Sequence, residues 1–376
     1  MQYRSFPKAP GLAVSTLGLG CGRLPTIAGE PARIDEAAAT SLVRAAIDAG
    51  VNYLDSAASH HGGQCEPFLG RALAGGWREK VHLAAKLPLW LAREEADWGR
   101  LLDAQLERLA TDHVELCLLQ ALTGERWKAV QRLGGLRALD RARADGRIGR
   151  VGFSFDGALA DLEAILDGYD WDACELELNF LDEPRQVGRE GLRRAASRRV
   201  GVIVAEPLRG GALARPPPVV QDAWARSDRG WTAAGWALRW AWDHAEVITA
   251  VSSPSSAAEL REGVDAARAA APLSARDLER MEDARRIYRT RRRVPCTTCG
   301  SCLPCPSGVA IPHVLSLYND AMFDAKEAPI GDYERLFLDR GAGADRCTAC
   351  GECELKCPER IPLVERVCEA HAYLTA

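Results

Sequence analysis

Two groups of four cysteines carry the strongest chemical signal in this sequence. The first reads Cys296-x2-Cys299-x2-Cys302-x2-Cys305-Pro306 and the second Cys347-x2-Cys350-x2-Cys353-x3-Cys357-Pro358. Thiolates two residues apart on a tight loop can reach three irons of one [4Fe–4S] cubane, and the fourth cysteine, followed by proline, turns away to ligate a second one. The spacing predicts two [4Fe–4S] clusters, one on Cys296, Cys299, Cys302 and Cys357, the other on Cys347, Cys350, Cys353 and Cys305. The first group departs from the usual pattern in having two residues, not three, before its last cysteine. Structural zinc favours two separated pairs of ligands rather than four cysteines in close succession twice, and disulfides belong to oxidising compartments.

The other cysteines stand alone. Cys21, Cys65, Cys117, Cys174 and Cys368 are read as small packing residues. The balance of 48 basic against 52 acidic residues, net charge -4, gives no reason to expect nucleic acid or an anionic membrane as partner. No apolar run approaches the ~18 residues of a membrane span. The N-terminus, MQYRSFPKAPG, lacks the charged-then-apolar plan of a secretory signal, which points to the cytoplasm, where thiols stay reduced.

The elements that must position this chemistry follow from periodicity. With 376 residues, one large domain and a smaller one are expected. Short apolar runs at Val14–Leu19, Val51–Leu54, Val81–Ala85, Val114–Leu119, Ile148–Phe153, Ala173–Leu176, Val200–Val204 and Val247–Val251 suit strands buried on both faces. Helix-like stretches, among them Asp35–Ala49, Trp98–Leu109, Trp127–Ala144 and Thr232–Trp242, separate them. About eight strand–helix repeats in roughly 250 residues fit a (β/α)8 TIM barrel, an α/β fold. A doubly wound open sheet has the same periodicity, but no GxGxxG turn follows an early strand. The basic stretch Arg285–Arg293 reads as a helix end and linker. The expected domains are a barrel over 1–285 and a small helical ferredoxin-type 4Fe–4S domain over 286–376, with helices at Pro312–Phe323 and Leu363–Tyr373.

Set beside these motifs, nearly the whole chain resembles a bacterial aldo/keto reductase family with a C-terminal ferredoxin-type domain. The resemblance rests on Leu17-Gly18-Leu19-Gly20-Cys21-Gly22-Arg23-Leu24-Pro25, Gly50-Val51-Asn52-Tyr53-Leu54-Asp55-Ser56-Ala57, His61-Gly62-Gly63-Gln64-Cys65-Glu66, Val81 to Pro88, Glu206-Pro207-Leu208-Arg209-Gly210-Gly211 and Trp236-Ala237-Leu238-Arg239-Trp240. It implies a nicotinamide nucleotide, NADP(H) or NAD(H), across the C-terminal face of the barrel. It also implies a tetrad of aspartate, tyrosine, lysine and histidine, in which tyrosine supplies a proton as hydride arrives. Asp55 and Lys86 match. His60 stands at the tyrosine position and Gln120 at the histidine position. Of the implied cofactor contacts, Ser154 faces the nicotinamide amide and Asn179 follows the sixth strand, with Glu175 in place of the usual glutamine. Leu208, Gly210 and Gly211 bring backbone N–H groups towards the pyrophosphate. The segment from Ser255 to Gly263 lies at the adenosine end.

A nicotinamide delivers two electrons together and a [4Fe–4S] cluster one at a time. Barrel and clusters in one chain therefore suggest an oxidoreductase acting on a small-molecule substrate at the barrel mouth. The clusters would relay electrons from a ferredoxin or another donor. The altered tetrad keeps open a non-redox lyase or isomerase on a repurposed barrel, or an electron-transfer subunit with an inactive one.

Overall fold

A computed structural model describes all residues except 29, 31, 183–186 and 322–326. Ten strands occur among the described residues: β1 (Tyr3–Phe6), β2 (Ala9–Ser15), β3 (Leu17–Gly20), β4 (Tyr53–Ala57), β5 (His82–Leu87), β6 (Val114–Leu122), β7 (Ile148–Phe155), β8 (Ala173–Glu177), β9 (Gly201–Ala205) and β10 (Val247–Ser252). Strands β3 to β10 close into a parallel barrel in which each strand pairs with the next and β10 returns to β3. This is the TIM barrel, not the open sheet. Parallel pairing needs a crossover between strands, and the helices between them supply it.

All eight apolar runs lie in the barrel, but the first is split. Val14 and Ser15 end β2, which pairs antiparallel with β1, and the barrel strand begins at Leu17. The hairpin serves as a plug. Phe6, Ala9 and Val14 pack with Tyr53, Ala84, Leu116, Leu118, Ala173, Ile203, Ile248 and Val251 in one buried cluster. Side chains alternate across a strand, so the residues two beyond Tyr53, Ala84, Leu118 and Ala173 share their face of the barrel. Gly152 is required in that interior, because a Cβ there would come 2.5 Å from the Ala173 carbonyl oxygen. The expected helix Trp127–Ala144 is two helices, Gly124–Arg132 and Gly135–Ala144, broken where Gly134 adopts φ 69°.

The chain divides into two compact units, and one of them contains every strand. The other comprises Ala212–Ala233 and Ser274–Ala376. The boundary expected after residue 285 falls inside the helix Ala275–Arg291, whose start is fixed by a capping box of Ser274 and Asp277. Within this second unit, Val294, Val309, Ile311, Val314, Leu315, Tyr318, Tyr333, Ile361, Leu363 and Val367 form the core. Helices Ile311–Asp320 and Leu363–Leu374 supply most of it. Phe323, the expected end of the first of these, lies outside the described residues. Among the described residues no helix is long and apolar enough to cross a membrane.

Candidate functional site

The barrel interior changes character one layer above its apolar floor. On β4 Tyr53 is followed by Asp55, on β5 Ala84 by Lys86, on β6 Leu118 by Gln120, and on β8 Ala173 by Glu175. The Lys86 ammonium donates to Glu175 at 2.6 Å and lies 3.0 Å from Asp55. Lys86 is 12% exposed, and the carboxylates 3% and 5%. Burial opposes the Lys86 charge, but Asp55 and Glu175 together hold its pKa above the ordinary lysine value. Burial pushes the Glu175 carboxyl up to about 7, with repulsion from Asp55 adding to it and Lys86 opposing. One oxygen of each carboxyl, Asp55 Oδ2 and Glu175 Oε2, is buried without a hydrogen-bond donor.

A second set of contacts holds the lysine's backbone. Gln105 donates to the Lys86 carbonyl at 3.1 Å and to Glu66 at 2.5 Å, and Glu66 is gripped from its other oxygen by Arg108 at 2.7 Å. Glu66 is 1% exposed, so Arg108 and Gln105 supply the partners that a buried carboxylate needs.

His60 begins a short kinked turn in which His61 and Gly62 have positive φ. Its Nδ1 is buried without a partner, and its ring hydrogen-bonds Cys65. The Cys65 thiol donates to the Cys21 carbonyl at 3.3 Å. Hydrogen bonding from Cys21, then His60, lowers the Cys65 thiol to about 7 against its burial, and Cys21 is raised in return. Cys117 and Cys174 are buried packing residues, as expected, and burial raises both thiols. Gln120 donates to Ser59 at 3.3 Å and leaves its buried Oε1 without a donor.

The residues expected to hold a nucleotide are engaged elsewhere. The Ser154 hydroxyl accepts from the Ala121 N–H at 2.7 Å. Asn179 Oδ1 accepts from Leu181 and Asp182, making an Asx turn. In the loop after β9, the Gly210 N–H donates to the Glu206 carboxylate and the Gly211 N–H to the Leu208 carbonyl at 2.9 Å. Arg23 donates to the Gly210 carbonyl, and Arg209 is paired with Asp182 at 2.6 Å. A carboxylate thus sits on the donor that a pyrophosphate would use. At the other end Ser255 donates to Glu259 at 2.8 Å and Ser256 caps the helix Ala257–Arg268.

In the second unit the two cysteine groups repeat one backbone geometry. Thr298 and Gly300 in the first, and Ala349 and Gly351 in the second, have positive φ between 55° and 76°. These paired left-handed residues bend each Cys-x2-Cys-x2-Cys segment into a loop. The Thr298 N–H points at Cys296 Sγ, 3.4 Å away. A small cavity of about 20 Å³ is lined by Cys305, Cys347, Cys350 and Cys353, with Val309, Ile311, Leu363, Val364 and Val367 as apolar walls. Four thiols on one apolar-walled cavity are the donor set of a [4Fe–4S] cubane. In the other group, burial raises the Cys302 thiol to about 11, and Cys296, Cys299 and Cys353 lie close enough to raise it further. Cys368 is exposed and its thiol hydrogen-bonds Cys347, so it is not a core packing residue.

The aldo/keto reductase family model matches residues 16–286, most of the chain and the whole barrel. This chain belongs to the aldo/keto reductase family. A 4Fe–4S dicluster domain matches residues 295–361, covering both cysteine groups. Among curated proteins, an aldo-keto reductase of Mycobacterium sp. (strain MCS) is 33% identical over 38% of this chain and 45% of its own length. The aldo-keto reductase YhdN of Bacillus subtilis (strain 168) is 32% identical over 31% and 37%. Pyridoxal 4-dehydrogenase of Microbacterium luteolum is 29% identical over 55% and 70%. The chain thus spans less than half the length of the first two. The solved aldo-keto reductase AKR11C1 of Bacillus halodurans has a TM-score of 0.64 at 22% identity, covering 76% of this chain and 96% of that one. One from Klebsiella pneumoniae, solved with NADPH, has 0.62 at 22%, covering 75% and 95%. At such identity these structures show the barrel fold alone.

Against this family background, the fold brings Asp55 and Lys86 together as the resemblance implied, and adds Glu175 to them. The sequence signal for Glu175 was a carboxylate where a neutral amide is usual. The contact of Cys21, Cys65 and His60 had no signal in the spacing.

Proposed function

We propose that this chain is an iron–sulfur oxidoreductase acting on a small organic substrate at the mouth of its barrel. Two [4Fe–4S] clusters would pass single electrons to it from a ferredoxin or another one-electron donor. The observation that carries the reading is the buried Lys86 ammonium between Asp55 and Glu175, in a chain that also sets four cysteines on one cavity. An ammonium fixed in place stabilises negative charge developing on a substrate oxygen without reorganising at that moment. Asp55 and Glu175 keep it charged and in position, and His60 and Gln120 offer further polar contacts at the mouth. The apolar layer beneath, with Leu118, Ala173 and Ile203, closes the floor to water. When bound, the clusters supply one-electron transfer. Cys347, Cys350, Cys353 and Cys305 would hold one, and Cys296, Cys299, Cys302 and Cys357 the other. A nicotinamide nucleotide, NADP(H) or NAD(H), would have to displace the Glu206 carboxylate from the Gly210 N–H to use that donor. Reduced thiols of this kind suit the cytoplasm.

The test is anaerobic. Purified protein should show the broad visible absorption of [4Fe–4S] clusters, bleach with dithionite, and in the reduced state convert a small carbonyl or related acceptor in a single turnover. An iron-loaded protein whose substrate conversion is indifferent to cluster reduction would sink the proposal. His60 and Gln120 at the implied tyrosine and histidine positions favour a second reading, a lyase or isomerase, which would turn over with no reductant present.

A further inference from the structure

We propose that Asp55 and Glu175 hold a single proton between them above Lys86, and that this pair is the proton source for a substrate oxygen bound at the ammonium. The second half rests on the proposed function; the first does not. The two carboxyls meet at one ammonium, Glu175 at 2.6 Å and Asp55 at 3.0 Å from Lys86. Each turns one oxygen to Lys86, and each has a second, buried oxygen without a donor. Two buried, unsatisfied acceptors on carboxyls that share one ammonium are the setting in which a carboxyl dyad keeps a single proton. Charge balance agrees. Two carboxylates around one ammonium leave a net negative charge buried, and one proton removes it.

The other titratable groups facing the pair do not supply that proton. Tyr53 on β4 is itself pushed up by burial and by these carboxylates. Cys174, beside Glu175 on β8, and Cys21, after β3, are likewise raised. Lys86 is held charged by the pair. The burial that raises the Glu175 carboxyl places its loss of a proton in the neutral range, where a general acid is most useful. In the step, the O–H bond on Glu175 breaks as an O–H bond forms on the substrate oxygen. The site is left with two carboxylates beside Lys86, and solvent returns the proton. The chain thereby replaces the tyrosine that the family resemblance implied with an acid on the far wall of the barrel.

The experiment is infrared difference spectroscopy of the full chain, cluster-loaded and without substrate, titrated between about pH 5.5 and 8.5. A protonated-carboxyl C=O band should vanish with a midpoint in the neutral range and be absent from Glu175→Gln. Two variants that keep Glu175 give directions: Lys86→Met should move the midpoint up, because an attractive cation is lost, and Asp55→Asn should move it down, because repulsion is lost. No carboxyl band in this range, a band that survives in Glu175→Gln, or shifts of the opposite sign would each overturn the shared proton. For the catalytic half, wild-type turnover should fall about tenfold per pH unit above the same midpoint, and Glu175→Gln should lose that limb. A limb unchanged in Glu175→Gln, or abolished instead by His60→Ala, would overturn the role as proton source while leaving the dyad. A dyad present in a protein with no redox turnover would refute the proposed function alone.

Discussion

The barrel mouth and the cysteine module build their sites by opposite means. Each triplet of thiols comes from one seven-residue loop, bent by two left-handed residues at the same positions in both copies. The charged site draws Asp55, Lys86, Gln120 and Glu175 from four strands, spread over more than a hundred residues of chain. A local site tolerates drift in the rest of the fold because its geometry is carried in a few φ angles. A site assembled across a barrel depends on register: Lys86 pairs with Ala57 and Leu118, Glu175 with Ser154 and Ile203, and a slip of one residue would turn either side chain out of the interior.

The comparison breaks most easily at Cys305, one of the two cysteines proposed to reach outside their own loops. Cys305→Ser should cost about half of the bound iron, and the cluster lost should be the one on Cys347, Cys350 and Cys353. Iron analysis with electron paramagnetic resonance of the reduced protein checks this; loss of the other cluster would show that each group ligates its own. At the barrel, Lys86→Met leaves two buried carboxylates without their cation and should destabilise that unit by about 3–5 kcal/mol, read by urea unfolding at neutral pH. A leucine-like tolerance there would mean that the site is not strung together by charge.

A pH series sharpens the same point. The folded-state carboxyl of Glu175 is raised, so the folded protein binds more protons than the unfolded one between about pH 4.3 and 7. The Glu175 contribution to stability should therefore fall as pH rises through that window and level off above it, and Glu175→Gln should flatten this part of the curve. Asp277 has the opposite sign. The Arg229 guanidinium, through a 2.6 Å contact, holds its carboxyl down to about 2, so what it adds is complete above about pH 4 and lost as pH falls through 2. The smallest effect is expected at its capping partner: Ser274→Ala removes the N-cap of the helix Ala275–Arg291 and should cost about 1 kcal/mol, measurable as a shift in urea midpoint with iron content unchanged.

Much of the fold was legible from pattern. Eight apolar runs without alternation can be buried on both faces, and eight such runs with helical spacers have few ways to close. What pattern missed were places where a neighbour, not the segment, decides. Val14–Leu19 is one apolar run, yet it breaks at Thr16 because its first half is needed as a lid under the barrel. Trp127–Ala144 has one helical periodicity, yet Gly134 turns the chain between two helices. In the site, the family resemblance implied that Asp55 and Lys86 would meet. It did not imply that the Gly210 N–H would be taken by Glu206, since a glycine loop reads the same whether its donors point at a ligand or at its own side chain.

The sequence by itself determined where the thiols of the second unit gather, because cysteine spacing along a short loop is also spacing in space. It determined the number of barrel strands, because burial on both faces leaves its mark on every residue of a strand. Only the tertiary structure decided that Glu175 joins Asp55 around Lys86. Their ionisation depends on distance and on exclusion of water, and neither is written in the order of residues 55, 86 and 175.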